Sequence, residues 1–180
     1  MATPFHWYET VPGTAELAQG DFVDRCPILM PPQDFRQEDV RGEVDVDVEK
    51  YNVVVMSQSC DLQQGNIDIV LVCPSVPLDD FGEANTYYQG SKGREALRRG
   101  YCPGYHLLNR CELPGFESGF IVVDFRNVFG VHFSFLKALA RQRGLRRRLL
   151  PPYREHLSQA FARFFMRVGL PVDIPSFTAG

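Results

Sequence analysis

The chain has 180 residues, an apolar fraction of 44% and a formal net charge of −3. This size and composition allow one domain with a hydrophobic core, and no apolar run approaches the ~18 residues that a membrane span needs. Because residues 1–7 lack the pattern of a signal peptide, we expect a cytoplasmic protein. The five cysteines match no disulfide scaffold, so we expect reduced thiols.

The first part of the chain carries strand patterns. Residues 20–30 predict a strand that stops at Pro31 and Pro32, and the polar residues 33–42 predict a loop. Residues 43–49 alternate valine with acidic residues, which predicts a strand with its valines inward and its carboxylates outward.

Two apolar segments, residues 51–57 and 67–73, predict a β-hairpin with Cys60 and Asp61 in its connection. The string Ser-Gln-Ser-Cys-Asp therefore follows directly after a buried strand. Strand ends are rigid and exposed, and functional groups are often found there. The sequence thus predicts a candidate site at this sheet rim.

The middle of the chain has shorter elements. We expect a long polar loop over residues 77–90, a short helix over 91–99 and a short strand over 105–108. Residues 120–131 predict one strand, and residues 134–142 predict a helix that ends before a glycine.

The C-terminal part is helical in pattern. Residues 145–150 predict an extended segment or linker because a proline follows, and Pro152 can begin a helix. The apolar face of this helix comprises Tyr153, Leu157, Phe161, Phe164, Phe165 and Val168, and the opposite face carries His156, Arg163 and Arg167. Short strands followed by helices predict an α+β domain with a small barrel or a strongly bent sheet.

Charge is unevenly distributed along the chain. Residues 1–130 hold ten basic and twenty acidic side chains, whereas residues 131–180 hold nine basic and two acidic ones. The basic segment, residues 131–180, either lies against the acidic remainder of the same molecule or contacts nucleic acid or an acidic protein. The candidate contact residues are Arg141, Arg143, Arg146, Arg147, Arg148, Arg163 and Arg167.

Cys60 has two interpretations. A lone cysteine is usually a small core residue, but a thiol beside a carboxylate can also be a nucleophile. In the second case His106 would be the base, and Asp61 would orient it. Asp61 could instead cap the loop by accepting backbone hydrogen bonds.

Two other patterns have both a structural and a functional interpretation. Cys102, His106 and Cys111 form a C-x₃-H-x₄-C spacing that a fourth thiol, Cys26 or Cys60, would complete into a zinc site, although the tight cysteine pair of structural zinc sites is missing. Asp124 and Arg126 share one face of a predicted strand, as an ion pair or as an anion site. The expectation is no metal and no cofactor.

Three strings resemble the PemK/MazF and CcdB toxin group of small SH3-like barrels. They are Gly-Asp-Phe-Val at 20–23, Val-Val-Val-Met-Ser at 53–57 and Val-Leu-Val-Cys-Pro at 70–74. The resemblance implies an SH3-like barrel domain with long loops over residues 1–131 and a basic helical extension over 132–180 packed on it. It also implies mRNA cleavage or poisoning of a target protein, with Arg25 and Ser57 or Ser59 as candidates.

The chain also resembles a set of uncharacterised bacterial proteins. These carry Ser-Gln-x-Cys-Asp after an apolar strand and Tyr-Arg-Glu-His-Leu-x-Gln-x-Phe-Ala-Arg-Phe-Phe near the C-terminus, here residues 57–61 and 153–165. This likeness implies no known activity. The leading interpretation is a binding or regulatory module of a bacterial conflict or regulatory system, which contacts nucleic acid or an acidic protein. The alternatives are a Cys60-dependent hydrolase and a MazF-like endoribonuclease.

Overall fold

A computed structural model describes residues 6–32, 43 and 45–166. In these ranges the chain forms two antiparallel sheets and five α-helices. The strands are β1 (Tyr8–Val11), β2 (Phe22–Met30), β3 (Asp47–Val55), β4 (Ile69–Pro77), β5 (Tyr105–Leu108), β6 (Ile121–Asp124), β7 (Phe129–His132) and β8 (Arg146–Leu149). The helices are α1 (Ser59–Gln64), α2 (Leu78–Ala84), α3 (Ser91–Arg98), α4 (Phe133–Arg143) and α5 (Tyr153–Phe165).

The larger sheet branches at β4. Its order is β2-β3-β4-β6-β5, and β7 pairs with the first half of β4 while β6 pairs with the second half. The small sheet joins β1 near the N-terminus to β8, which follows α4. The C-terminal third therefore contributes a strand as well as two helices.

The last three residues of β3, 53–55, are buried on both faces of the strand, which explains their unbroken run of valines. Val53 and Val55 enter a core beneath α4 with residues of β2, β4 and β7. Val54 points the other way into a second core, which α5 covers with Leu157. The sheet is thus sandwiched between α4 on one side and α5 with the small sheet on the other.

The α+β prediction is confirmed, and the large sheet does not close into a barrel within the described residues. The hairpin prediction is also confirmed, because β3 and β4 are antiparallel neighbours. The predicted helices over 91–99 and 134–142 are α3 and α4, and the helix predicted after Pro152 is α5. The loop predicted over 33–42 lies outside the described residues.

Two element predictions are wrong. The segment predicted as a polar loop begins with helix α2, whose Leu78 is buried while its acidic residues face outward. The single strand predicted over 120–131 is two strands, because Asp124 accepts hydrogen bonds from the backbone of Arg126 and from the side chain of Asn127. A side chain that caps its own turn in this way interrupts a strand.

The two valines of the acidic stretch that the structure describes do not point into a core. Val46 and Val48 are both exposed, and Asp47 and Glu49 are exposed as well. Residues 45–50 are all exposed, so neither face of this part of β3 is buried. Strict alternation indicates a strand, but whether a second layer covers one face depends on the tertiary structure. Within the described ranges, no helix combines the length and apolar character that crossing a bilayer requires.

Candidate functional site

The centre of the predicted basic run lies inside the protein. Arg146 Nε is 2.8 Å from Oδ2 of Asp21, and Arg148 Nε is 2.5 Å from Oδ1 of the same carboxylate. Asp21 is fully buried, and Arg146 is nearly so. Charged groups are buried in this way only when they are paired and hydrogen-bonded.

Further contacts hold Arg146 and its neighbour Arg147 in place. Arg146 donates to the carbonyl oxygens of Pro12, Ala15 and Glu16 at 2.9–3.0 Å. The guanidinium of Arg147 lies 4.2 Å from the ring centre of Phe22 and donates to Ser118 Oγ. Arg146, Arg147 and Arg148 therefore stabilise the packing of β8, in line with the intramolecular interpretation of the charge split.

Two further predicted contact residues lie at the end of α4, and one lies outside the described ranges. Arg141 and Arg143 are exposed, and Arg143 donates to the carbonyl of Arg25 at 3.4 Å. Arg25 has φ +52° at a bulge in β2. The predicted contact residue Arg167 lies outside the described residues. Among the predicted residues that the structure describes, Arg163 lines a cleft with other basic groups.

That cleft, of about 310 Å³, opens between the end of α3 and one face of α5; we call it the α3–α5 cleft. Its polar lining residues are Arg98, Arg99, His106, His156, Gln159 and Arg163. His156, Gln159 and Arg163 are three and four residues apart, so they share one face of α5. The tertiary structure thus adds a second basic segment, from α3, to the basic face predicted for the last helix.

The α3–α5 cleft carries a surplus of positive charge. Glu95 forms ion pairs of 2.6 Å with both Arg98 and Arg99, and their hydrogen bonds lower the pKa of Glu95 to about 2. One carboxylate therefore faces two guanidinium groups. Arg163, on the opposite wall, has no hydrogen bond or ion pair with any residue in the described part of the chain.

His106 gives the cleft a neutral polar group. The half-buried imidazole packs against the ring of Phe125, at a centroid distance of 6.2 Å. Burial, with a smaller effect from His156, lowers the pKa of His106 to about 4. A neutral imidazole offers one hydrogen-bond donor and one acceptor at pH 7.

An exposed aromatic side chain adjoins this cleft. Tyr101 follows α3 by three residues and is 72% exposed. Tyr101 directly follows Gly100, which lines the cleft, and Glu95 and, to a lesser extent, Tyr101 raise the pKa of Arg99. The string Arg-Arg-Gly-Tyr at 98–101 is the sequence signal that could have indicated this part of the site.

Cys60 and Asp61 lie on a different side of α5. Cys60 is exposed on α1, with its sulfur 3.6 Å from Gln58 Oε1 and 3.8 Å from Asp61 Oδ1. Asp61 lines a cleft of about 380 Å³ that reaches α5 at Ser158 and Phe161.

The structure does not bring His106 to the thiol. Ser158 and Phe161 occupy the face of α5 opposite to His156 and Arg163, so the helix separates the two clefts. No hydrogen bond joins Cys60 to His106 in the described residues. The catalytic arrangement of Cys60, Asp61 and His106 therefore stays a hypothesis without a contact between the nucleophile and its base.

The cysteines proposed as metal ligands are distributed over separate parts of the core. Cys26 lies in the core beneath α4, Cys111 in the core beneath α5, and Cys102 beside a third cluster around α2 and α3. The described ranges contain no group of three His, Cys, Asp or Glu side chains arranged to hold a metal ion.

The residues implied by the toxin resemblance are also apart. Arg25 is level with Asn52 on β3, whereas Ser57 follows the end of that strand, roughly 16 Å farther along at the rise of a β-strand. The hydroxyl oxygen of Ser57 accepts from Leu71 N, and that of Ser59 accepts from Gln19 N. Both hydroxyl oxygens thus accept backbone hydrogen bonds, which is a structural role.

Asp124 and Arg126 form the ion pair that their spacing allows. Arg126 Nε lies 3.3 Å from Asp124 Oδ1, and its guanidinium is 4.4 Å from the ring centre of Tyr105. These contacts connect the turn after β6 to the neighbouring strand β5, which supports the structural interpretation of this pair.

Comparison with known proteins adds no family to this description. No protein-family model matches the chain, and no significant match was found among curated proteins or solved structures.

Proposed function

We propose that this protein is a nucleic-acid-binding module that holds a single strand in the α3–α5 cleft. The observation that carries the proposal is the position of Arg163, which has no ion-pair partner in the described residues and lines the same cleft as Arg98 and Arg99. The proposal keeps the binding function predicted from the charge split. It moves the contact surface from the arginines of β8 to the two helices.

Phosphate is the ligand group that suits this lining. The planar guanidinium presents several donors in a fixed fork that matches phosphate oxygens. The cleft has three arginines, and among the described residues the one carboxylate paired with them, Glu95, binds only Arg98 and Arg99. A phosphate can therefore be attracted by Arg163 without breaking the ion pairs of Glu95. His156 and Gln159 supply further polar groups on the α5 wall.

A single strand suits the site better than a duplex because an aromatic side chain accompanies the arginines. Tyr101 offers a ring to solvent next to Arg99. Unpaired bases stack on such rings with little sequence preference, while arginines follow the backbone. In a duplex the faces of internal bases are already stacked on each other.

The biological setting stays a prediction. The antiparallel order of β2, β3, β4 and β7 supports a relationship with SH3-like barrels, and a role in bacterial defence or regulation is what the resemblances imply. No contact in the described residues favours the Cys60 hydrolase or the MazF-like cleavage mechanism over binding.

Fluorescence anisotropy tests the proposal with a labelled 12-nucleotide RNA and the DNA of the same mixed sequence. At low salt we expect both single strands to bind, and the affinity should fall as salt is raised, with a slope of about −0.7 per phosphate contacted. Arg163→Ala should weaken binding. It should also make the slope shallower by about 0.7, the value for one phosphate contact.

Lys92→Ala is the matched control. Lys92 is an exposed cation on α3 that does not line the cleft, so its removal changes the net charge equally. Equal losses for both variants would indicate nonspecific attraction and contradict a site in the cleft. Absence of binding to either strand at low salt would refute the proposal.

A further inference from the structure

A second surface, independent of the α3–α5 cleft, lies where the large sheet stays open. A groove of about 650 Å³ runs between β2 and β7 and reaches the first turn of α4. Its lining is almost entirely apolar and consists of Pro27, Ile28, Leu29, residues 128–131, His132 and Phe135. The groove lies on the α4 side of the sheet, away from the face that α5 covers.

Both strands that border the groove have a free edge. In the described residues β2 pairs only with β3, and β7 pairs only with β4. Each edge presents backbone N–H and C=O groups that can pair with another extended chain, except that Pro27 of β2 offers only its C=O. Residues 26–30 of β2 are uncharged, so the usual protection of an edge by charged side chains is missing along the groove.

The groove also exposes large apolar side chains. Leu29 is 67% exposed at one border, and Phe135 is 45% exposed on α4. Isolated exposed residues of this kind are ordinary. Here they flank two unpaired strand edges, and the combination matches the surface that strand-addition domains offer to a peptide.

An acidic row on β3 runs beside the groove toward one of its ends. Glu49 lies opposite Ile28 in the β2–β3 pairing and accepts a hydrogen bond from the Tyr51 hydroxyl. The ring of Tyr51 packs against Phe129 of the groove, at 5.3 Å between centroids. Asp47 continues the exposed acidic row toward the ribbon tip.

We propose that the groove between β2 and β7 binds an extended segment of a partner protein as an added β-strand. The segment has apolar side chains at alternating positions, which enter the groove, and a lysine or arginine toward the end beside which Glu49 and Asp47 lie. Alternation follows from the period of two in a strand. The basic end follows from charge complementarity with the acidic ribbon.

Selection from a random 12-residue peptide display library, with the full chain as bait, tests this proposal. We expect enriched peptides to alternate apolar residues and to carry a basic end. A synthetic peptide of the enriched sequence should bind at least tenfold more weakly to Leu29→Asp. It should bind unchanged to Leu145→Asp, because Leu145 is similarly exposed, at 62%, but lies beyond the far end of α4.

Two further measurements separate strand addition from simple apolar adhesion. The same peptide with alternate backbone nitrogens methylated keeps its side chains but loses its donors, so its affinity should fall more than tenfold. Glu49→Gln should weaken binding severalfold at low salt and have little effect at high salt. Full binding by the methylated peptide would overturn the strand-addition model.

The remaining outcomes also decide the matter. If the library enriches no sequence, or if Leu29→Asp binds the enriched peptide normally, the proposal is wrong. If light scattering shows a dimer that Leu29→Asp converts to monomers, the occupant is a second copy of this chain, and the partner-peptide proposal is equally overturned.

Discussion

Arg146 reaches Asp21 at 2.8 Å across 125 positions of sequence, and both side chains are almost completely buried. The pair connects β8, near the end of the described chain, to the residue that opens β2. The backbone N–H of Ala18 donates to the same carboxylate, and Arg148 binds it from the other side. Arg146 and Arg148, which the sequence predicts as contacts for a partner, therefore stabilise the fold.

Removing the Asp21 carboxylate should strongly destabilise the protein. Asp21→Ala leaves the buried guanidinium of Arg146 without its counter-charge, and breaking such a pair costs about 3–5 kcal/mol. Urea unfolding followed by circular dichroism would measure the loss. Asp24→Ala, at an exposed position on the same strand, should change the free energy of unfolding by less than about 0.5 kcal/mol. Similar effects for both variants would contradict the role of the buried pair.

His106 should make the protein less stable as the pH falls. Its pKa is about 4 when folded, below the ordinary value of about 6.5 in the unfolded chain. The unfolded state therefore takes up the proton first, and stability declines between pH 6.5 and 4 by at most about 1.4 kcal/mol per pH unit. Above that window the contribution is fully present, and below pH 4 it no longer changes.

Denaturant unfolding at several pH values between 7 and 4 would check this effect. His106→Asn should flatten the pH dependence, whereas His132→Asn, at an exposed position on β7, should leave it as in the unmodified chain. An NMR titration showing that His106 takes up its proton near pH 6.5 in the folded state would contradict the prediction.

Gly93 should not tolerate alanine, although it lies inside helix α3. Alanine normally stabilises a helix interior by about 0.5–1 kcal/mol relative to glycine. Here an added Cβ would overlap the carbonyl oxygen of Tyr87 and lie 2.8 Å from its carbonyl carbon. We expect Gly93→Ala to lower the melting temperature at a cost of about 1–3 kcal/mol. Gly119→Ala, where nothing lies within 4 Å, serves as the control.

The thiols should react in an order set by burial. Cys60 is exposed, Cys102 is partly exposed and the other three are buried. Burial also raises the pKa of Cys26 to about 11 and that of Cys73 to about 12, which leaves little reactive thiolate near neutral pH. Mass spectrometry after brief alkylation of the native protein should therefore find the label first on Cys60.

The same alkylation experiment tests the enzyme hypothesis. Because α5 separates His106 from Cys60, His106→Asn should not change the labelling rate of Cys60. A marked decrease in that rate, with the fold intact, would show that the imidazole activates the thiol and would favour the hydrolase alternative.

Tyr101 should contribute to single-strand binding through stacking. Tyr101→Ala should weaken RNA and DNA binding by about 1–3 kcal/mol, the usual value for one base stacked on an aromatic ring. The salt dependence should stay unchanged, since no charge is lost. Tyr87→Ala is the matched control in the anisotropy measurement, because Tyr87 is also an exposed ring but packs beside Tyr88 and does not adjoin a lining residue of the cleft as Tyr101 adjoins Gly100.

Local patterns predicted most of the regular elements. The valine run of β3 is apolar throughout because both of its faces are buried, and the apolar stripe of α5 covers the second core through Leu157. Hydrophobic periodicity reports such burial directly. Hydrophobic periodicity could not predict α2, because this short helix buries little more than Leu78 and Gly82 and so has no apolar stripe to detect.

By itself, the sequence determined that the chain folds as an α+β domain, that its last third is basic and that a thiol and a carboxylate follow a buried strand. Only the tertiary structure decided which of these charges face outward. Asp21 draws Arg146 and Arg148 into the interior, while Arg163 is left facing Arg98 and Arg99 across a cleft. The physical reason is that ion pairing over more than 100 residues depends on which strands and helices meet, and no local pattern encodes that meeting.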